Sequence, residues 1–265
     1  MASALGSNKT KIARRIVEVL EFFALGNDQA TVMDVARKFG RPQSSTSELL
    51  SAMVEMGLLY KDQQARCYLP TPRLAALGLA GQPESIRNGR LFGTMDRLAQ
   101  SSRLTVALFG LVRTHVQVFR LSTGVDAPVG SLCNGDAMLL SESAAGLLLL
   151  AAQGPVAAGR IMWRLNGEAA PDKRFDLAAM KRRVTQLGRD GHATGDCGFV
   201  QGMRATAMLT NLPHEKAPLA LAFLYAEDSK VDSGALVATL RRAIDQAALQ
   251  DGEREGSFLR SLERA

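Results

Sequence analysis

The chain has 265 residues, of which 46% are hydrophobic and 22% charged, with a formal net charge of +6. That is enough apolar material for the core of one large domain or two ordinary ones, and it excludes a disordered polyelectrolyte. Cys67, Cys133 and Cys197 are too few and too far apart for a disulfide framework or a zinc site. The basic excess suits a polyanionic partner without specifying one.

The apolar run at 16–25 contains Glu18 and Glu21, which a secretory core would not tolerate. The longest uncharged run, 143–159, is broken by Gly146, Gln153, Gly154 and Pro155 and is too short to span a bilayer. These features predict a cytoplasmic protein with no membrane partner.

The first helix is expected over 11–24, with Ile12, Ile16, Val19, Leu20 and Phe23 on one face. Gly26-Asn27-Asp28 reads as a turn. Thr31 can cap a second short helix with Val32, Val35 and Phe39 inward, and Gly40 ends it. Pro42 suits the first turn of a third helix that stops at Gly57. Short strands at 58–60 and 67–69 flank a polar turn, giving helix, helix, helix, hairpin. A helix at 74–80 and a break at Gly81-Gln82-Pro83 follow. The rest reads as a helix at 84–101, strands at 105–112, 115–121 and 127–133, and helices at 143–153, 155–165 and 177–190. Strands at 198–210 and 218–226 and a helix at 233–249 complete it, with a polar, frayed tail from 251.

The third helix begins with Ser44, Ser45, Thr46 and Ser47 and continues with Leu49, Leu50 and Met53. Two short helices and a tight turn match a helix-turn-helix, whose second helix enters the major groove. Short hydroxyls allow close approach to phosphates and base edges. Thr46 falls on the inner face, so Gln43, Ser44, Ser45, Ser47 and Glu48 form the outward, reading edge. Gln43 can bond bidentately to adenine, and Glu48 can accept from a cytosine amino group. Arg37, Lys38 and Arg41 flank the turn and suit phosphates. Lys61 and Arg66 sit on the hairpin, where a wing meets the backbone or minor groove. The competing reading is a capping region in a protein-interaction module.

The segment VMDVARKFGRPQSSTSELLSAMVEMGLLYKDQQARCYLPTPRLAALG resembles the winged helix of the IclR-type transcriptional regulators, including Gly40-Arg41-Pro42 before the recognition helix. The resemblance is strong over 31–78 and looser beyond. Glu48 stands where the family commonly has Arg, so the operator sequence does not transfer. The resemblance implies an α+β protein: an N-terminal winged helix-turn-helix domain at 9–73, a linker helix at 74–83, a C-terminal GAF-like α/β effector-binding domain at 84–251, and a flexible tail at 252–265. It also implies a homodimer or dimer of dimers on double-stranded operator DNA, with Leu74, Leu77, Leu79, Ile86 and Leu91 as candidate contacts.

Carried over by position, the effector pocket takes Ser143, Ala144 and Ala145 at a helix start, and Gly195, Met203, Ala205, Phe223 and Tyr225 from strands. Trp163 and Met138 are added as further lining. Several of these positions are polar in relatives that sense small oxo-acids. Here they are apolar or aromatic, which points to a small aromatic effector carrying a carboxylate or carbonyl group.

Enzymatic readings are weaker. The glycine spacing at 154–159 lacks the Lys and Ser/Thr of a phosphate loop. His115, His192 and His214 have no companion at ligand spacing, and Cys197 has no base beside it in sequence. No cofactor and no metal are expected. The reading is a ligand-responsive regulator, with repression of a catabolic operon preferred. The alternative is a small-molecule-binding enzyme with an N-terminal interaction module.

Overall fold

A computed structural model describes residues 8–24, 26–125, 130–212 and 217–262, and the chain divides into two compact units, 1–82 and 83–265. The first unit contains α1 (Asn8–Ala24), α2 (Val32–Lys38), α3 (Gln43–Glu55), β1 (Leu59–Asp62), β2 (Cys67–Pro70) and α4 (Arg73–Leu79). Thr31 and Asp34 form a reciprocal capping box at the start of α2. Gly40, at φ +59, ends α2 in the left-handed conformation that costs glycine least. The Arg41 N–H then reaches the Ala36 carbonyl and the Gly40 N–H the Arg37 carbonyl, a Schellman closure that fixes the turn between the two helices.

The core of this unit is Val19, Phe22, Phe23, Val35, Leu50, Met53, Leu59 and Tyr68. Leu50 and Met53 are fully buried, so truncating Leu50 to Ala costs about 2–5 kcal/mol. Ile12 is half exposed rather than part of the inner stripe, and Phe22, absent from the expected stripe, is buried. The wing strands β1 and β2 are antiparallel from Leu59↔Pro70 to Asp62↔Cys67. A bridge between Ala30 and Tyr68 ties the wing to the helices.

The second unit runs α5 (Glu84–Arg87), α6 (Arg90–Ser102), β3 (Thr105–Val112), β4 (His115–Ser122), β5 (Ala137–Leu139), α7 (Ala144–Ala151), α8 (Gly154–Glu168), α9 (Leu177–Asp190), β6 (His192–Asp196), β7 (Met203–Leu209), β8 (Leu219–Ala226) and α10 (Ser233–Leu262). Single 3-10 turns lie at Leu140–Glu142 and Pro171–Lys173. The six strands form one antiparallel sheet in the order β5-β4-β3-β8-β7-β6. Helices cover both faces, which is why β8, LALAFLYA, is apolar along its whole length rather than alternating.

Alternation still decides which side chain faces which layer. Ala220, Ala222 and Leu224 pack in the layer of α7, α8 and α9, with Ala107, Ala205 and Ala207 from the neighbouring strands. Leu219, Leu221, Phe223 and Tyr225 pack in the layer of α6 and α10. The run of alanines on the first face lets α7, whose residues Ala144–Leu150 are all buried, lie close to the sheet.

Several expected elements differ. The helix expected at 84–101 breaks around Gly89, giving α5 and α6. Of the strand expected at 127–133, residues 127–129 lie outside the described residues and 130–133 form a turn and irregular chain; the third strand is instead β5, paired with β4. Strand β6 was not expected, because HATGD has no apolar run, and the strand expected from 198 begins at Met203 after a turn. Helix α10 continues to Leu262, since no proline interrupts the Glu-, Arg- and Leu-containing stretch expected to fray.

Candidate functional site

The first candidate surface is the edge of α3. Its N-cap is Pro42, whose side chain caps nothing, so no side chain takes up the first-turn N–H groups. Thr46 is buried, and its hydroxyl donates to the Pro42 carbonyl at 2.9 Å, as expected of an inner-face residue. Ser45 donates to the same carbonyl at 3.2 Å, so its hydroxyl is engaged within the helix. Gln43, Ser44 and Glu48 are exposed and Ser47 is half-buried. The Ser44 and Ser47 hydroxyls have no hydrogen-bond partner among the described residues.

Charge around this edge is unevenly committed. Arg37, Lys38, Lys61 and Arg66 are exposed and make no ion pair among the described residues. Lys61 stands over the Tyr68 ring at 5.9 Å. Arg66 lies at φ +52 on a turn in which Asp62 Oδ1 accepts the N–H groups of Gln64 and Ala65. Arg41 differs from the expectation of a phosphate contact. Its guanidinium pairs with Glu18 of α1 and lies over the Phe39 ring at 5.4 Å. The partner carboxylate, 23 residues earlier in the chain, was not visible from sequence spacing. Asp34 is held below the usual carboxylate range, chiefly by the Thr31 hydroxyl and then by the Thr31 N–H.

The second candidate region lies between α7 and the first face of the sheet. Ser143 caps α7 by accepting the Gly146 N–H at 3.0 Å. Gly195 of β6 pairs with Ala205 of β7, and a Cβ on Gly195 would sit 3.5 Å from the Ala144 Cβ. Ala144, Ala145, Met203 and Ala205 are buried in one apolar cluster that also holds Phe109 and Cys197. Phe109 and Phe199 stack at 5.7 Å with 19° between their planes. Gly198, at φ +81, approaches so closely that a Cβ would lie 2.5 Å from the Glu142 carbonyl oxygen and 2.8 Å from the Met138 sulfur. Burial pushes the Cys197 thiol up, against a smaller opposite effect of backbone hydrogen bonding at Phe199 and Val200. At the rim, Lys173 reaches Glu142 at 3.3 Å.

Three expected lining residues are not brought into this region. Phe223 and Tyr225 face the opposite layer because strand side chains alternate, and a one-residue change of phase moves them across the sheet. The neighbours that do face α7 are Ala222 and Leu224. Tyr225 instead bonds Thr206 at 3.0 Å, which in turn meets Thr194 at 3.2 Å. Trp163 stands 71% exposed on α8. Phe109 and Phe199 were missed, since only the fold sets the two rings together.

Among the described residues no group of three His, Cys, Asp or Glu side chains could hold a metal. None of their helices is long and apolar enough to cross a membrane.

A three-helix head with a β-wing, followed by an antiparallel sheet covered on both faces by helices, defines a winged helix-turn-helix protein with an α+β C-terminal domain. Residues 13–63 match the IclR helix-turn-helix domain. Over nearly its whole length the chain has the fold of IclR-type structures. One is an IclR homologue from Microbacterium hydrocarbonoxydans solved with 4-hydroxybenzoate, at 21% identity and TM-score 0.62, covering 90% of this chain and 98% of that one. Another is an IclR transcriptional regulator from Alicyclobacillus acidocaldarius, at 20% identity and TM-score 0.59, covering 93% and 98%. A third is the Thermotoga maritima IclR, at 14% identity and TM-score 0.56, covering 93% and 99%. Among curated proteins no sequence match is found. The head is thus an IclR-type helix-turn-helix, and the chain as a whole shares the fold of those structures.

Proposed function

We propose that this regulator reads operator DNA with α3 and the wing, and that a small aromatic acid held between α7 and the sheet changes its operator affinity. The observation that carries the DNA half is the polar edge at Gln43, Ser44, Ser47 and Glu48, backed by fully buried Leu50 and Met53 and flanked by four exposed cations that make no ion pair among the described residues. A rigid apolar back and a short polar front suit major-groove entry.

The aromatic preference is supported by the Phe109–Phe199 stack beside Met138 and Met203. The first-turn N–H groups of α7 that Ser143 does not cap, those of Ala144 and Ala145, suit a carboxylate. The Microbacterium homologue, which was solved with 4-hydroxybenzoate, makes that acid the first compound to try. Leu77 and Leu79, exposed on α4, favour pairing with a second copy, whereas Leu91 and Ile86 pack within the second unit. An effector that prefers one arrangement of the paired heads by roughly 1–3 kcal/mol changes operator affinity about 5- to 150-fold. Repression relieved by the effector is the preferred sign.

Selection of genomic fragments by the purified protein, repeated with 4-hydroxybenzoate, glyoxylate or pyruvate, tests both halves. The expected result is a discrete operator whose retention changes with the aromatic acid alone. Fragment recovery without sequence preference refutes the reading helix, and a response to the oxo-acids alone refutes the aromatic effector. Ser44→Ala with Ser47→Ala should weaken operator binding without changing the fold.

A further inference from the structure

We infer that the solvent sides of α8 and α9 form a docking surface for an acidic protein segment that also carries an apolar side chain, with Trp163 as the anchor. Trp163 is the chain's single tryptophan, and it is 71% exposed. Val156, also 71% exposed, lies seven residues earlier and therefore on the same helical face, with exposed Arg160 between them. The opposite side of α8 is anchored in the core by Ala158, Met162 and Leu165. The helix is thus fixed with its largest side chain facing water. Tryptophan and arginine are the residue types that most often dominate the energetics of protein interfaces.

The charge around this anchor is concentrated. Between residues 154 and 190 there are eight Lys and Arg against four Asp and Glu, whereas the remainder of 83–265 has fourteen against fifteen. The positive excess of the second unit therefore lies entirely in this stretch. Helix α9 packs against α8 and presents Ala178, Lys181, Arg182, Thr185, Gln186 and Arg189 along one exposed face. Arg160, Lys181, Arg182, Arg183 and Arg189 make no ion pair among the described residues, while Arg164 and Lys173 are paired with Glu168 and Glu142.

These features select the occupant. A second copy apposed through a two-fold axis would bring the same unpaired cations face to face, which is destabilising. Duplex DNA would use the cations but give Trp163 and Val156 nothing to bury against. An acidic segment with a Leu- or Phe-like side chain satisfies both, the carboxylates meeting α9 and the apolar group covering the indole.

The test uses the intact protein and its one indole. Trp163 emission should stay at the solvent-exposed position across a dilution series and on addition of non-operator duplex. A synthetic amphipathic helix of Glu and Leu should shift it to shorter wavelength, and its Lys-for-Glu counterpart should not. Fluorescein-labelled Glu/Leu peptide, read by anisotropy, should bind at least tenfold more weakly to Trp163→Ala and to Lys181→Glu with Arg182→Glu, with thermal unfolding unchanged. Binding should also weaken as salt rises. A concentration-dependent shift identifies a second copy as occupant and overturns the proposal. A shift with duplex alone overturns it in favour of nucleic acid. No response to the Glu/Leu peptide, or equal binding by the variants, overturns it outright.

Discussion

Replacing Arg41 with Ala separates a residue that builds the helix-turn-helix head from the residues proposed to meet DNA. Arg41 and Glu18 are only 22% and 24% exposed, so their pairing is partly shielded from water. A charge-assisted hydrogen bond of this kind is worth about 1.5–3 kcal/mol. The guanidinium over Phe39 adds ~0.5–1 kcal/mol. Allowing for partial solvent screening, the substitution should cost on the order of 2 kcal/mol. For a unit of this size that lowers its unfolding midpoint by roughly 8–15 °C. It should leave the salt dependence of operator binding intact, because the guanidinium is already committed to Glu18. Arg66→Gln should do the opposite, lowering the slope of log affinity against log salt by ~0.9 while barely moving the melt. Calorimetric melts paired with gel-shift titrations at several salt concentrations measure both quantities. If Arg41→Ala flattened the salt slope as Arg66→Gln does and left the melt unchanged, the assignment of Arg41 to the Glu18 contact would be wrong.

Gly198→Ala should destabilise the second unit by about 1–3 kcal/mol, since it combines a positive φ with a Cβ 2.5 Å from the Glu142 carbonyl; an unchanged melt refutes the close approach. Asp96 accepts the Ser122 hydroxyl at 2.6 Å and also pairs with Arg120, and these contacts, the hydroxyl first, hold its carboxyl below the usual value near ~3.9. Its contribution is therefore present above that unfolded-state value and is lost as pH falls through the lower folded-state one. Asp96→Asn should flatten the acid limb of the stability profile measured by urea unfolding, and an unchanged limb counts against the Ser122–Asp96–Arg120 cluster. Among the thiols, exposed Cys133 should alkylate first in native protein, whereas Cys67 and Cys197 should react only on unfolding. Peptide mapping after iodoacetamide treatment reads the order, and early labelling of Cys197 would contradict its burial.

The head was legible because its signals are local. Thr31 with Asp34, Gly40, and the Leu49-Leu50-Met53 spacing each act within one or two turns, and all agree on the same short helices. The wing followed from two short apolar runs around a polar turn. In the second unit the strands with long apolar runs, β3 and β8, were equally plain. β6 was not, because HATGD gains strand character only by pairing with β7 from His192↔Met208 to Asp196↔Arg204. The proposed effector face was the least legible. A strand buried on both sides, such as β8, has no polar alternation to set its phase, so Phe223 and Tyr225 could be assigned to either layer from the letters alone. Trp163 likewise has a helical position that says nothing of which neighbour, if any, covers it.

By itself the sequence determined the helix-turn-helix with its wing, the class of element in most of the second unit, and the resemblance of the head to the IclR type. Those features rest on interactions between residues close together in the chain, where spacing and cap chemistry suffice. Tertiary structure alone decided that Arg41 belongs to Glu18, that Phe109 stacks on Phe199, that Ala222 rather than Phe223 faces α7, and that the lone indole is left in water. Each depends on elements far apart in sequence meeting at a particular register and distance, and the one-dimensional pattern carries no measure of either.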